Sequence, residues 1–236
     1  MAPSTPDEQL LAGQLDYYQQ RAPEYDDWFF RRGRYDRGPD ANREWFAEID
    51  DVRDTLGRTE WTGRSVLELA SGTGLWTTWL LDHGAHVHAV DGSAAMLGQL
   101  RATVGSRDVP ITTEQADLFT WFPTSTYDAV FFGFWLSHVP RARLATFFAM
   151  VASALRPGGV VGFVDSRRDP ASTAVDHVLP DEGEQLTRRL NDGREFRIVK
   201  NFLAPTELRE VAAAADVDLR VTTTARYFLV GLGTRN

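Results

Sequence analysis

Cysteine is absent from the 236 residues. That excludes disulfides, zinc ribbons, iron–sulfur clusters and a thiol nucleophile together. Lysine is nearly absent: of 25 basic residues, 24 are arginine and Lys200 stands alone. Codon bias in a GC-rich genome accounts for that ratio without invoking function. No run approaches the ~18 apolar residues of a membrane span, and the opening MAPSTPDEQL has neither a basic nor an apolar stretch. Basic charge is also in deficit, with 33 acids leaving a net charge of −8, which opposes a phosphate backbone. These absences lead us to expect a cytoplasmic protein acting on a small molecule, with no nucleic acid and no membrane as partner, as a monomer or homodimer.

What is present is ordinary globular composition, 43% apolar and 25% charged. A chain of this length buries roughly 70–75% of its unfolded surface in one core. Residues 1–64 read as a helical extension or lid, with helices over Asp7–Gln20, Glu24–Arg32 and Asn42–Leu56. From residue 65 to 236, short apolar runs alternate with helical segments. Strands are expected at Ser65–Ala70, His86–Val90, Pro110–Gln115, Tyr127–Phe132 and Val160–Asp165. Helices are expected at Leu75–His83, Ala94–Val104 and Arg141–Leu155. This alternation predicts βαβ units in an α/β doubly wound, mostly parallel sheet, with ligands outside the carboxyl ends of the strands. Residues 166–204 read as a polar cap insertion with one strand over Glu195–Phe202. A helix over Pro205–Ala215 and an antiparallel pair of strands, Asp218–Thr224 and Arg226–Leu232, close the chain.

The strongest local signal is Glu68-Leu-Ala-Ser-Gly72-Thr-Gly74, which ends a strand and opens a helix. Glycine there permits positive φ and close backbone approach of a ligand, although any tight strand–helix turn can use it. Asp91 ends the next strand, 19 residues after Gly72. A carboxylate at that place can accept from both ribose hydroxyls, or simply cap the following helix. The three-glycine dinucleotide fingerprint would need glycine at position 77, where this chain has Thr77. A nucleoside ligand without phosphates fits better.

Val66-Leu-Glu-Leu-Ala-Ser-Gly-Thr-Gly74, Val90-Asp-Gly-Ser93 with Met96-Leu97, Ala116-Asp117-Leu118, Tyr127-Asp-Ala-Val130 and Leu155-Arg-Pro-Gly-Gly159 follow in order. Together they resemble the class I S-adenosylmethionine-dependent methyltransferases of small-molecule type. The resemblance implies a seven-stranded Rossmann-like sheet in the order 3-2-1-4-5-7-6 with strand 7 antiparallel. It also implies S-adenosyl-L-methionine as cofactor and S-adenosyl-L-homocysteine as product. Carried onto this chain, Glu68, Ala70, Ser71, Gly72 and Gly74 would form the loop against the methionyl part. Asp91 would hold the ribose, and Gly92 and Met96 would flank the adenine. Asp117 would accept from the adenine amino group, with the Leu118 backbone donating to the ring. Tyr18 and Tyr25 resemble the tyrosines of a lid helix over the methionine end, and simple packing on the body is an equal reading.

Methyl transfer from a sulfonium is an in-line displacement that needs a positioned acceptor, an apolar cage and, for an O–H or N–H acceptor, a base. His138, in Phe134-Trp-Leu-Ser-His138 after the fourth strand, is the candidate base. Capping or packing beside Pro140 is the plain alternative. Phe134, with Trp28, Trp45 and Trp135, is a candidate wall of the cage. Asp165 and Asp169 do not complete a metal-ligand set, so no metal is expected. The arginines of the insertion, among them Arg188, either clamp an acceptor anion or line a solvated face. Two other uses of the same fold stay open: a non-methylating displacement or rearrangement, and a non-catalytic cofactor-sensing module.

Overall fold

The computed structural model describes residues 5–105, 107–177, 179 and 183–236. Pro180, within the expected cap insertion, lies outside them. Strands β1 (Ser65–Leu69), β2 (His86–Asp91), β3 (Ile111–Gln115), β4 (Tyr127–Gly133), β5 (Leu155–Ser166), β8 (Val217–Thr223) and β9 (Phe228–Arg235) form one sheet. Its order is β3-β2-β1-β4-β5-β9-β8. The pairs from β3 to β5 are parallel, and β9 runs antiparallel to both neighbours. The expected strand order and the closing antiparallel pair are both present.

The central strands are apolar on consecutive residues because helices cover both faces of the sheet. Successive side chains point to opposite faces. Phe132 therefore packs with Phe147, Val151 and Leu208, from α6 (Leu144–Ala154) and α7 (Pro205–Ala213). Phe131 packs on Trp61 and Trp76 and belongs to the core that also holds Trp45 and Ile49 of α3 (Pro39–Leu56), Leu80 of α4 (Leu75–Asp82) and Leu97 of α5 (Ala94–Val104). Helix α3 presents Trp45, Ile49, Val52 and Leu56 on one stripe. It begins three residues earlier than the pattern predicts because Pro39 suits the first helical position.

Other segments also depart from the sequence reading. Helix α6 stops at Ala154, and Arg156–Gly159 bulges out of β5: Tyr127 pairs with Leu155, but Ala129 pairs with Val160. Gly158 takes the positive φ (+74°) that this bulge requires. In the insertion, β6 (Gln185–Arg189) pairs with β7 (Glu195–Val199) as a separate hairpin. Leu186 is the one apolar residue of β6, so no alternation announced that strand.

Helix α1 (Pro6–Arg21) starts with a capping box between Thr5 and Glu8. It packs Tyr17 against Leu186, Leu190 and Ile198, joining the N-terminal segment to the hairpin. The short helix α2 (Tyr25–Phe29) follows. It replaces the longer helix expected over 24–32, because Arg31 and Gly33 take positive φ (+55° each) and turn the chain. Among the described residues, no helix is long and apolar enough to cross a membrane.

Candidate active site

A cavity of about 340 Å³ lies beyond the carboxyl ends of β1, β2, β3 and β4, with α1 as its roof. After β1 the chain turns through positive φ at Ala70 (+52°), Gly72 (+57°) and Gly74 (+91°). Gly72 donates its N–H to Asp91 Oδ2 at 2.9 Å, and Ser93 donates to Oδ1 at 2.8 Å. The Asp91 carboxylate is thereby fixed, and each oxygen keeps a lone pair for a ligand. Burial raises its pKa, and the two backbone N–H groups counter that rise. At Gly92 a Cβ would come within 2.9 Å of Leu15 Cδ1, so α1 passes close over this turn and a larger residue would displace that side chain. Phe134 also holds positive φ (+58°), an outlier for a bulky residue, with its N–H donated to Val164 O at 2.7 Å. Backbone strain of this kind concentrates where a site is built.

Ala70, Gly72, Asp91, Gly92, Met96, Asp117, Leu118, Phe134, Tyr18, Tyr25 and His138 all line this cavity. Glu68, Ser71 and Gly74 do not. Glu68 shares the sheet face of Val66, so its carboxyl meets α4 and accepts from Thr77 Oγ1 at 2.6 Å. Burial pushes its pKa up to about 8. Gly74 instead lets α5 pack closely, since a Cβ there would meet Leu100 at 3.1 Å.

At the other end of the cavity, His138 Nδ1 lies 2.8 Å from Val199 O, so that nitrogen carries the proton. Nε2 is left to accept from the Tyr18 hydroxyl at 2.8 Å. Burial, with the nearby cations Lys200, Arg188 and Arg21, holds the imidazole well below its ordinary pKa. Gln14 of α1 donates to His138 O at 3.1 Å and accepts from Val199 N at 2.9 Å. One buried carboxamide thus clips both backbone segments that orient the imidazole.

Tyr18, Tyr25, Phe134 and His138 also wall a second, smaller space of about 40 Å³. Arg21, Arg188 and Lys200 line it, with Trp28 packed edge-on to Phe134 at 4.7 Å. Trp45, the other tryptophan considered for the cage, is core: it is fully buried and donates to Phe29 O. Trp135 lines the larger cavity, and its buried Nε1 has no partner among the described residues.

Most arginines of the insertion bond outward: Arg189 with Glu195, Arg194 with Asp192, and Arg167 with the carbonyls of Thr224 and Ala225. Arg188 turns inward. His177 sits between Arg34 and Arg188, and burial with those cations lowers its pKa to about 4. Sequence reasoning passed over Gln14, Arg21 and Lys200. The uniqueness of Lys200 was the one available signal, since nothing local ties Gln14 to a partner 185 residues away.

Residues 66–159 match a family model described as a methyltransferase domain. A solved structure described as a DhpI-SAM-HEP complex is 35% identical, covers 98% of this chain and 99% of its own, and superposes with a TM-score of 0.79. An uncharacterized methyltransferase of Geobacillus kaustophilus is 29% identical over 64% of this chain and 66% of its own length. A glycine/sarcosine N-methyltransferase of Parasynechococcus marenigrum is 38% identical over 48% of this chain and 40% of its own. The chain spans less than two thirds of either curated relative. Family model, solved relative and sheet order agree: the chain belongs to the class I S-adenosylmethionine-dependent methyltransferases.

Proposed function

We propose that this protein transfers the methyl group of S-adenosylmethionine to an oxygen or nitrogen of a small organic acceptor. The observation that carries this reading is the junction of the two cavities at Tyr18, Tyr25, Phe134 and His138. One chamber has the polar fittings of a nucleoside site, and the other lies next to it behind an aromatic wall. The solved relative is described with SAM and a second ligand, HEP, which supports a site of two compartments.

The residues of the larger chamber fit the cofactor. Asp91 keeps free lone pairs for ribose hydroxyls, Asp117 and Leu118 stand beside Met96 for the adenine, and Trp135 Nε1 awaits an acceptor. When bound, S-adenosylmethionine supplies a methyl group on a sulfonium that already carries the leaving-group activation. The chain's own task is then to align the acceptor, exclude water and take its proton. Tyr18 and Tyr25 close the chamber from the N-terminal segment. The Tyr18 hydroxyl takes the acceptor proton as it passes its own to His138 Nε2, the position at which the imidazole can receive one.

The test is product analysis with a panel of hydroxyl, carboxyl and amine compounds. Release of S-adenosylhomocysteine with a methylated acceptor is expected. Release of methylthioadenosine instead would show displacement at the aminobutyrate carbon and overturn the reading.

A further inference from the structure

The smaller chamber carries more positive charge than its surroundings balance. Arg21 reaches it from α1, Arg188 from β6 and Lys200 from the end of β7. Among the described residues, none of the three is in an ion pair. The neighbouring carboxylates are already engaged. Asp165 accepts from the backbone N–H groups of Ser137 and Ser166, Asp176 pairs with Arg34, and Glu24 accepts from Asn191 N–H. Arg21 is buried among the rings of Tyr17, Tyr25 and Tyr35, and its Nε has no partner among the described residues. Arg188 bonds Thr173 and His177, which are neutral acceptors, and Lys200 donates to Ser137 Oγ at 2.8 Å.

Withdrawing a cation from water without a counter-charge is costly, most for buried Arg21 and less for half-buried Arg188 and Lys200. Ring faces offset part of that cost for Arg21. Lys200 has a more distant ring, with Nζ 5.6 Å from the centre of Phe202, and among the described residues Arg188 has none. Among the described residues, the carboxylate whose field acts on Lys200 is that of Asp165. The chamber is therefore short of negative charge in just the space adjoining the cofactor cavity.

We propose that this chamber is an oxyanion subsite for the methyl acceptor, and that the acceptor carries a compact carboxylate or phosphoryl head gripped by Arg21, Arg188 and Lys200. The inference deepens the methyl-transfer reading, and rests on it for the term acceptor. Size agrees: about 40 Å³ holds roughly three water-sized groups, given that one needs about 10–15 Å³ by this measure. That suits a carboxylate or tetrahedral head and excludes an aromatic ring. Arginine suits the task because its fork meets two oxygens at once. A bound anion would also offset the cations that disfavour protonation of His138, so that seating the acceptor would strengthen the proton acceptor behind Tyr18.

The experiment is calorimetric titration of the full chain with inorganic phosphate and with acetate, beside a separate titration with S-adenosylhomocysteine. Saturable binding of at least one anion is expected, and the tighter one identifies the head group as tetrahedral or planar. Arg188→Gln and Lys200→Met are each expected to weaken that anion about ten- to a hundredfold, the loss of one charge-assisted contact. Affinity for S-adenosylhomocysteine should stay within about twofold in both variants, which also shows that they fold. Absence of saturable anion binding, or equal binding in wild type and both variants, overturns the subsite. Robust methylation of neutral alcohols or amines, uninhibited by phosphate, overturns it too while leaving methyl transfer intact. Anion binding that needs Arg188 and Lys200, without methylation of any acceptor, upholds the subsite and counts against the methyl-transfer reading alone.

Discussion

The phenolic oxygen of Tyr18 lies 2.8 Å from Nε2 of His138, and it binds the one ring nitrogen that Val199 leaves free to accept. The pair spans α1 and the loop after β4, so that the N-terminal helix and the sheet body meet at this contact. Tyr18→Phe keeps the ring that closes the chamber and deletes only the hydroxyl. We expect kcat to fall about a hundredfold, within the range of general acid–base contributions, while cofactor affinity changes little. Steady-state kinetics beside calorimetry separate the two; an unchanged kcat would show that the acceptor atom reacts without losing a proton.

Gln14 holds the backbone on both sides of that imidazole. Gln14→Ala leaves His138 O and Val199 N without their buried partner, at a cost of about 1–3 kcal/mol in unfolding free energy. Chemical denaturation reads that loss. If Gln14 positions His138, kcat also falls more than KM rises, and Gln14→Glu, which keeps an acceptor for Val199 N–H, restores part of it.

Glu68 sets a pH dependence of stability. Burial raises its pKa to about 8, against about 4.3 for an unperturbed glutamate. The native state thus binds a proton that the unfolded chain has already lost. Its favourable contribution is complete below the unfolded pKa and is lost as pH rises toward the folded value. Glu68→Gln removes that loss. Its stability relative to wild type should climb between about pH 5 and 8 and level off above, by a few kcal/mol at most at ~1.4 kcal/mol per unit. Denaturation midpoints at several pH values check this, and a constant difference would contradict it.

Most of the sheet was legible because β1, β4 and β5 carry apolar runs and α4, α5 and α6 each fill a crossover between parallel strands. Asp91 and Gly72 were legible for a similar reason: adjacent parallel strands bring their carboxyl ends together, and a 2.9 Å hydrogen bond joins the two residues. Thr77 marks how far local reading reaches. Its side chain argued against a dinucleotide loop, yet its hydroxyl's role as donor to Glu68 depends on how α4 packs over β1. Glu68 was expected against the ligand for want of that packing. Gln14, Arg21 and Lys200 were passed over because their meaning lies in long-range meetings between α1, the hairpin and the loop after β4. Strand β6 was missed because Arg188 and Arg189 hide its period.

Calorimetric titration of S-adenosylmethionine into the wild-type chain and into Asp91→Ala tests the central claim most directly. Asp91 receives Gly72 and Ser93 at the floor of the larger cavity, and in the proposed function its free lone pairs accept from the ribose hydroxyls. Micromolar binding by wild type is predicted, weakened about a hundredfold or more in the variant, as expected for two charge-assisted hydrogen bonds. Absence of micromolar binding in the wild type, or equal affinity in the two proteins, would contradict the account.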